Sequence, residues 1–163
     1  MYQYEADGLA SLVVRSNEFE TARHYADYCV ATNEKEISVA ALRLTEGEKM
    51  LVEGCGVSGL AALLPGRKLD RSDLIDKKVA ALLCGGDIDM TILGRALELA
   101  LEADNRLVRF IETALDHPGG IFNLTNTLSK NGSSVKDMHY ERAWLCSNVD
   151  QTQVKVVMEL QRK

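Results

Sequence analysis

Apolar positions along this chain keep two rhythms, and the change between them falls just after residue 104. In the first stretch, Ile37, Ala40, Ala41 and Leu44 recur every three or four residues, the spacing of one helix face. Asn33 stands before that stripe and Glu36 three residues later, so a capping box opens the helix and Gly47 is placed to stop or break it. Met50-Leu51-Val52 forms a short apolar run into a glycine-rich junction, after which Leu60 to Leu64 continue as helix until Pro65-Gly66. Residues 67–76 are polar and read as a surface connection. Residues 27–31 read as a short strand and 78–83 as a buried one. The second run ends in Cys84-Gly85-Gly86-Asp87 before a helix from about residue 89 to 104. Leu93, Leu97 and Leu101 share one face of that helix, while Arg95, Glu98 and Glu102 share the wet one.

Beyond Asn105 the pattern becomes β-α-β-β. Residues 107–115 read as a strand, Asp116-His117-Pro118-Gly119-Gly120 as a turn, and Ile121, Leu124 and Leu128 as the stripe of a helix stopped by Asn131-Gly132. Residues 133–144 and 151–160 read as two more strands. In the second, Val154, Val156, Met158 and Leu160 alternate with their neighbours, which marks a sheet covered on one face. The expected fold class is therefore α/β followed by α+β, with domains at 1–104 and 105–163. A full β-α-β-β-α-β domain would need one more helix and strand.

Length agrees with that division, since 163 residues suffice for one domain or two small ones of the usual size. A net charge of −5 with scattered Lys and Arg leaves no basic footprint for nucleic acid. Cys29, Cys55, Cys84 and Cys146 are widely spaced and form no C-x-x-C pair, so reduced thiols are expected and no metal site. No basic and apolar leader opens the sequence, and no window reaches the roughly 18 apolar residues of a membrane helix. A soluble, cytoplasmic chain with no membrane partner is the expectation.

Candidate chemistry gathers at the glycine junctions. Gly54, Gly56 and Gly59 spell G-x-G-x-x-G, but the apolar run before them is short and the next run ends in Cys84, without the acid that takes a ribose hydroxyl. Close helix packing explains these glycines as well as a nucleotide does. Asp87 and Asp89 suit a helix start, where acids meet free amides and the positive dipole end. Glu53, at a run-to-helix junction, either caps the helix or faces a ligand. Cys84 has no base nearby in sequence to make it a nucleophile, and His117 reads as a turn residue.

Several motifs in order resemble one family. Ala6-Asp7-Gly8-Leu9-Ala10, Val52-Glu53-Gly54-Cys55-Gly56, Leu82-Leu83-Cys84-Gly85-Gly86-Asp87 and Leu93-Gly94-Arg95 resemble the C-terminal part of a pyridoxal-phosphate-dependent threonine (serine) dehydratase of fold type II. Arg106-Leu107-Val108-Arg109-Phe110, Asp116-His117-Pro118-Gly119-Gly120-Ile121 and Glu141-Arg142-Ala143-Trp144-Leu145 resemble an attached, incomplete ACT domain of ferredoxin-like (β-α-β-β) order. The resemblance implies a lyase that removes water and ammonia from an amino-acid substrate, with Cys84 facing the cofactor's ring nitrogen. It places Gly85 and Gly86 beside Cys84, Glu53 near the ring and Gly8 in backbone contact with the cofactor. A thiol there offers a hydrogen bond where a carboxylate would offer a charge, which leaves the ring a milder electron sink. Asp87 stands where the family usually has Asn. In the second module the resemblance implies an amino-acid effector at Asp116, Gly119, Gly120 and Ile121, and pairing into a homo-oligomer.

The family's Schiff-base lysine, substrate loop and phosphate cup belong to its N-terminal part, and no lysine of this chain matches. No catalytic residue is therefore assigned, and the chain alone is expected to be an inactive fragment. The alternative is a non-enzymatic ACT-type sensing or interaction protein with a remnant catalytic fold.

Overall fold

The structure is a computed structural model that describes residues 6–9, 11, 13–66, 69, 74–142 and 150–160. The chain divides into two compact units, Met1–Ala100 and Leu101–Lys163.

The first unit is helical. A 3-10 turn, Asp7–Leu9, is followed by α1 (Ser16–Tyr25), α2 (Glu34–Gly47), α3 (Gly54–Leu63) and α4 (Met90–Ala103), the last three residues of which belong to the second unit. The capping box forms as expected. The Glu36 amide donates to Asn33 Oδ1 at 3.0 Å, and the Asn33 amide donates to Glu36 Oε2 at 2.9 Å. Ile37, Ala40, Ala41 and Leu44 of α2 then bury against Val57 and Ala61 of α3, with Val52 and Ala6 completing the cluster. Alanines at 40, 41 and 61 keep the helix backbones close. A buried Val or Leu contributes about 1.5–3 kcal/mol, so this cluster dominates the unit's stability.

Two sequence expectations are corrected in this unit. Residues 27–31 and 78–83 form neither helix nor strand and are exposed except for the half-buried Leu83, and among the described residues of the unit no strand forms. A strand needs a partner's amides and carbonyls along its length. The segment around Cys84 receives one such bond, from the Glu53 amide to the Gly85 carbonyl at 3.2 Å. Its apolar side chains are mostly in water, Leu82 being 83% exposed, while Leu83 packs partly against the core. In α4, Ala96 and Ala100 are buried deepest, while Leu93, Leu97 and Leu101 are half-buried.

The second unit holds β1 (Leu107–Leu115), α5 (Gly120–Lys130), β2 (Ser134–Glu141) and β3 (Gln151–Glu159). The three strands form one sheet in the order β1-β3-β2, antiparallel at both pairings. The two outer strands thus run the same way with α5 between them in sequence, a split β-α-β arrangement around a central strand. Val108, Met158 and Val135 stand in one row across the sheet, and Phe110, Val156 and Met138 in the next. Alternation in β3 is realised, with Thr152, Val154 and Val156 buried and Gln153 and Lys155 half-exposed. Expected strand residues 143–144, like Cys146, lie outside the described residues.

Candidate functional site

In the first unit the glycine junctions meet. Residues 51–53 end beside residues 84–86, and at Gly56 and Gly85 the neighbouring segment packs where a side chain would have to stand. A methyl on Gly56 would lie 2.6 Å from the Cys84 carbonyl carbon and 2.8 Å from Val52 Cγ1, with the Cys84 oxygen nearer still. Gly85 adopts φ +76°, a left-handed conformation that favours glycine, and a methyl there would lie 2.9 Å from Glu53 Cγ and run into its carboxylate. Gly86 faces the Leu51 carbonyl, and a methyl on Gly8 would come within 3.0 Å of Cys55 Sγ. Gly8 therefore lies against the first turn of α3, which is also where Gly56 meets Cys84.

Glu53 is the N-cap residue of α3, yet its side chain makes no capping hydrogen bond. Of the two roles open to it in sequence, capping is not the one adopted. Its carboxylate lies against Gly85 instead. Cys84 is a free, exposed thiol. A shallow cavity of about 490 Å³ runs from it over Cys55, Gly56 and Gly59 to Leu74 and Val79. Gly56 of the G-x-G-x-x-G pattern is a packing glycine, whereas a methyl on Gly59 would meet nothing. Asp89 behaves as a helix-start acid, accepting from the Thr91 amide at 2.7 Å, the Ile92 amide at 3.3 Å and the Thr91 hydroxyl. Those bonds, the Thr91 hydroxyl first, hold its carboxyl below the usual range.

The second unit has its own cavity, of about 670 Å³, where β1 hands over to α5. Asp116, Gly119, Gly120 and Ile121 all line it, and Gly119 turns the chain with φ +92°. Two residues that the sequence reading did not assign to the site also line it: Tyr140, near the end of β2, and Arg142, just past it. Tyr140 Oη donates to Asp116 Oδ1 at 2.5 Å, and Arg142 reaches the same carboxylate through Nη2 at 3.0 Å and Nε at 2.9 Å. The Tyr140 hydrogen bond, followed by those of Arg142, holds the Asp116 carboxyl below its usual range. The Asp116 amide donates to the Asp150 carbonyl at 2.8 Å, tying the turn to the start of β3. Among the described residues, no cluster of three or more His, Cys, Asp or Glu could hold a metal ion, and no helix is long and apolar enough to cross a membrane.

Fold and sites together define a protein of α/β class with a glycine-lined thiol junction in one unit and a charged, apolar-walled cavity in the other. The chain belongs to the threonine dehydratase (threonine ammonia-lyase) family. It is 36% identical over 139 residues to an L-threonine ammonia-lyase of Thermotoga maritima, a match covering 85% of this chain and 33% of that protein. An L-threonine ammonia-lyase of Geobacter sulfurreducens is 30% identical over 154 residues, 94% of this chain and 37% of its own length. A catabolic L-threonine dehydratase of Staphylococcus aureus is 34% identical over 96 residues, 59% of this chain and 28% of its own. The chain thus spans about a third of the length of the curated relatives it matches. No protein-family model matches it.

Proposed function

We propose that this chain supplies one side of the cofactor site of a threonine/serine dehydratase, in residues 1–104, and an amino-acid-sensing ACT domain, in residues 105–163. The observation that carries the first part is the junction of Gly56, Glu53 and Gly85 around Cys84. There a free, exposed thiol stands beside a carboxylate and a left-handed glycine, and a shallow cavity opens over the thiol. These residues fit pyridoxal phosphate. When bound, that group supplies an electron sink for removal of the α-proton and loss of the β-hydroxyl.

The chain's own contributions follow from chemistry at each atom. The Cys84 thiol offers the ring nitrogen a hydrogen bond without a negative charge. Gly85 and Gly86 let the backbone approach a planar group, Glu53 orients the ring side from the neighbouring segment, and Gly8 contributes backbone. No residue here takes the role of the covalent lysine, so by this reading the chain alone does not deaminate threonine. The ACT reading rests on the strand order β1-β3-β2 and on the cavity at Asp116, Gly119, Gly120 and Ile121. It implies a small amino-acid effector and pairing between copies.

The test is a chimera. Residues 1–104 replace the corresponding stretch of the Thermotoga maritima L-threonine ammonia-lyase, and threonine deamination and cofactor absorbance are measured. Activity that falls on Cys84→Asp is expected, because a carboxylate would hold the ring nitrogen protonated. A folded chimera that binds no cofactor would overturn the reading. So would a stoichiometric borohydride-reduced adduct, with deaminating activity, formed by the isolated chain.

A further inference from the structure

We propose that the outer edge of β1 is the surface through which two copies of this chain pair, β1 lying antiparallel to β1 of the second copy about a two-fold axis at Ile111. This deepens the pairing proposed for the second unit and rests on that reading for its partner. The edge and the register come from the strand itself.

The backbone supplies the first reason. Among the described residues β1 is an end strand of the sheet and pairs with β3 alone. The Leu160 amide donates to the Arg106 carbonyl and the Asp116 amide to the Asp150 carbonyl, each at 2.8 Å, so these two bonds bracket the β1–β3 ladder. Residues of an antiparallel pair alternate between bonded and non-bonded positions. Even-numbered residues of β1 therefore turn their amides and carbonyls to β3, and Leu107, Arg109, Ile111, Thr113 and Leu115 turn theirs outward. The Leu115 carbonyl accepts from the His117 amide at 3.0 Å, and the other outward groups form a template for a further strand. At the opposite edge β2 breaks its register between Val135 and Asp137, whereas β1 pairs without interruption along all nine residues. A break of that kind blunts an edge, and β1 has none.

Side chains select the partner and the register. Ala114 and Val154 line the cavity with Ile121 and Leu124 of α5, so the even-numbered residues of β1 face the helix and the odd-numbered ones face away. On that open face Ile111 is 53% exposed and Leu115 55%. With the axis at Ile111, that side chain meets its own copy, Leu107 meets Leu115 and Arg109 meets Thr113. Each large apolar side chain of the open face then lands on another, the pairing that stabilises adjacent strands. Slipped registers lose this. Centring on Arg109 or on Glu112 sets a like charge against itself, and centring on Phe110 sets Arg109 against Ile111 and Leu107 against Thr113.

Amide hydrogen exchange of the full chain, followed by NMR as the sample is diluted, tests the edge. The amides of Arg109, Ile111 and Thr113 are expected to be protected in concentrated samples and to lose protection on dilution, while those of Val108, Phe110 and Glu112 stay protected by β3. Protection of the odd-numbered amides that does not change with concentration would overturn the proposal, because a strand of the same chain then holds the edge. Ile111→Lys and Ile111→Glu test the axis in sedimentation experiments, with far-UV dichroism to check that both variants fold. Each variant alone sets a charge against itself and should weaken the dimer about tenfold or more, and an equimolar mixture of the two should restore it. A dimer that both variants leave intact, or a mixture that restores nothing, would overturn the β1 edge and its register while leaving pairing between copies in place. A parent chain that stays monomeric at every concentration would overturn the pairing itself.

Discussion

Two glycines three positions apart in α3 should respond oppositely to the same substitution. Gly59→Ala adds a methyl into open space, where the intrinsic helix preference of alanine stabilises by roughly 0.5–1 kcal/mol. Gly56→Ala drives its methyl into the Cys84 backbone. The carbonyl carbon must retreat from 2.6 Å to at least the 3.4 Å at which ordinary contact begins. Residues 84–86 are exposed and can move, so the cost is bounded by what holds them. That is the Glu53–Gly85 backbone hydrogen bond, worth about 1 kcal/mol, and the packing of Leu83 against the core. Overpacking of this kind costs about 1–3 kcal/mol, so after the helix gain Gly56→Ala should lose about 1–2 kcal/mol. The two variants should therefore differ by about 1.5–3 kcal/mol in urea unfolding followed by far-UV dichroism. If Gly56→Ala is as stable as the parent chain, the convergence of α3 on the Cys84 segment is wrong, and the junction of Glu53 and Gly85 beside Cys84 with it.

Two further outcomes test local chemistry. Asn33→Ala removes the half of the capping box that the Asn33 side chain accepts, leaving the backbone amide of residue 33 bonded to Glu36, and should cost α2 about 1 kcal/mol in the same unfolding assay. Asp116 has a folded pKa below the ordinary 3.8, so its stabilising contribution is complete above that value and is lost as pH falls through the lower folded value. Tyr140→Phe removes the largest cause of the depression and should raise the acid-unfolding midpoint of the second unit. A thermal melt series between roughly pH 2 and 6 reads the shift, and an unchanged midpoint would count against the Tyr140 bond.

The helix α2 was legible because its signals are local. The cap, the stripe and the stop all lie within residues 33–47, and each acts through bonds spanning three or four positions. The turn at Asp116 and the alternation in β3 were legible for the same reason. Tyr140 and Arg142 were not, because they lie 24 and 26 residues from Asp116 and only strand order brings them to it. The run at 78–83 misled in a different way. An apolar sequence records a capacity to be buried, and among the described residues of its unit no neighbouring strand buries it.

What the sequence alone determined is therefore the family, the two kinds of repeat and the elements whose signals are local. Tertiary structure decided what needs two distant segments at once. Glu53 could have capped α3, and it lies against Gly85 because the 84–86 segment passes there. Asp116 could have been a plain turn residue, and it binds Tyr140 and Arg142 because β3 inserts between the strands that carry them. A propensity belongs to a few consecutive residues, but a site belongs to whatever the fold makes adjacent.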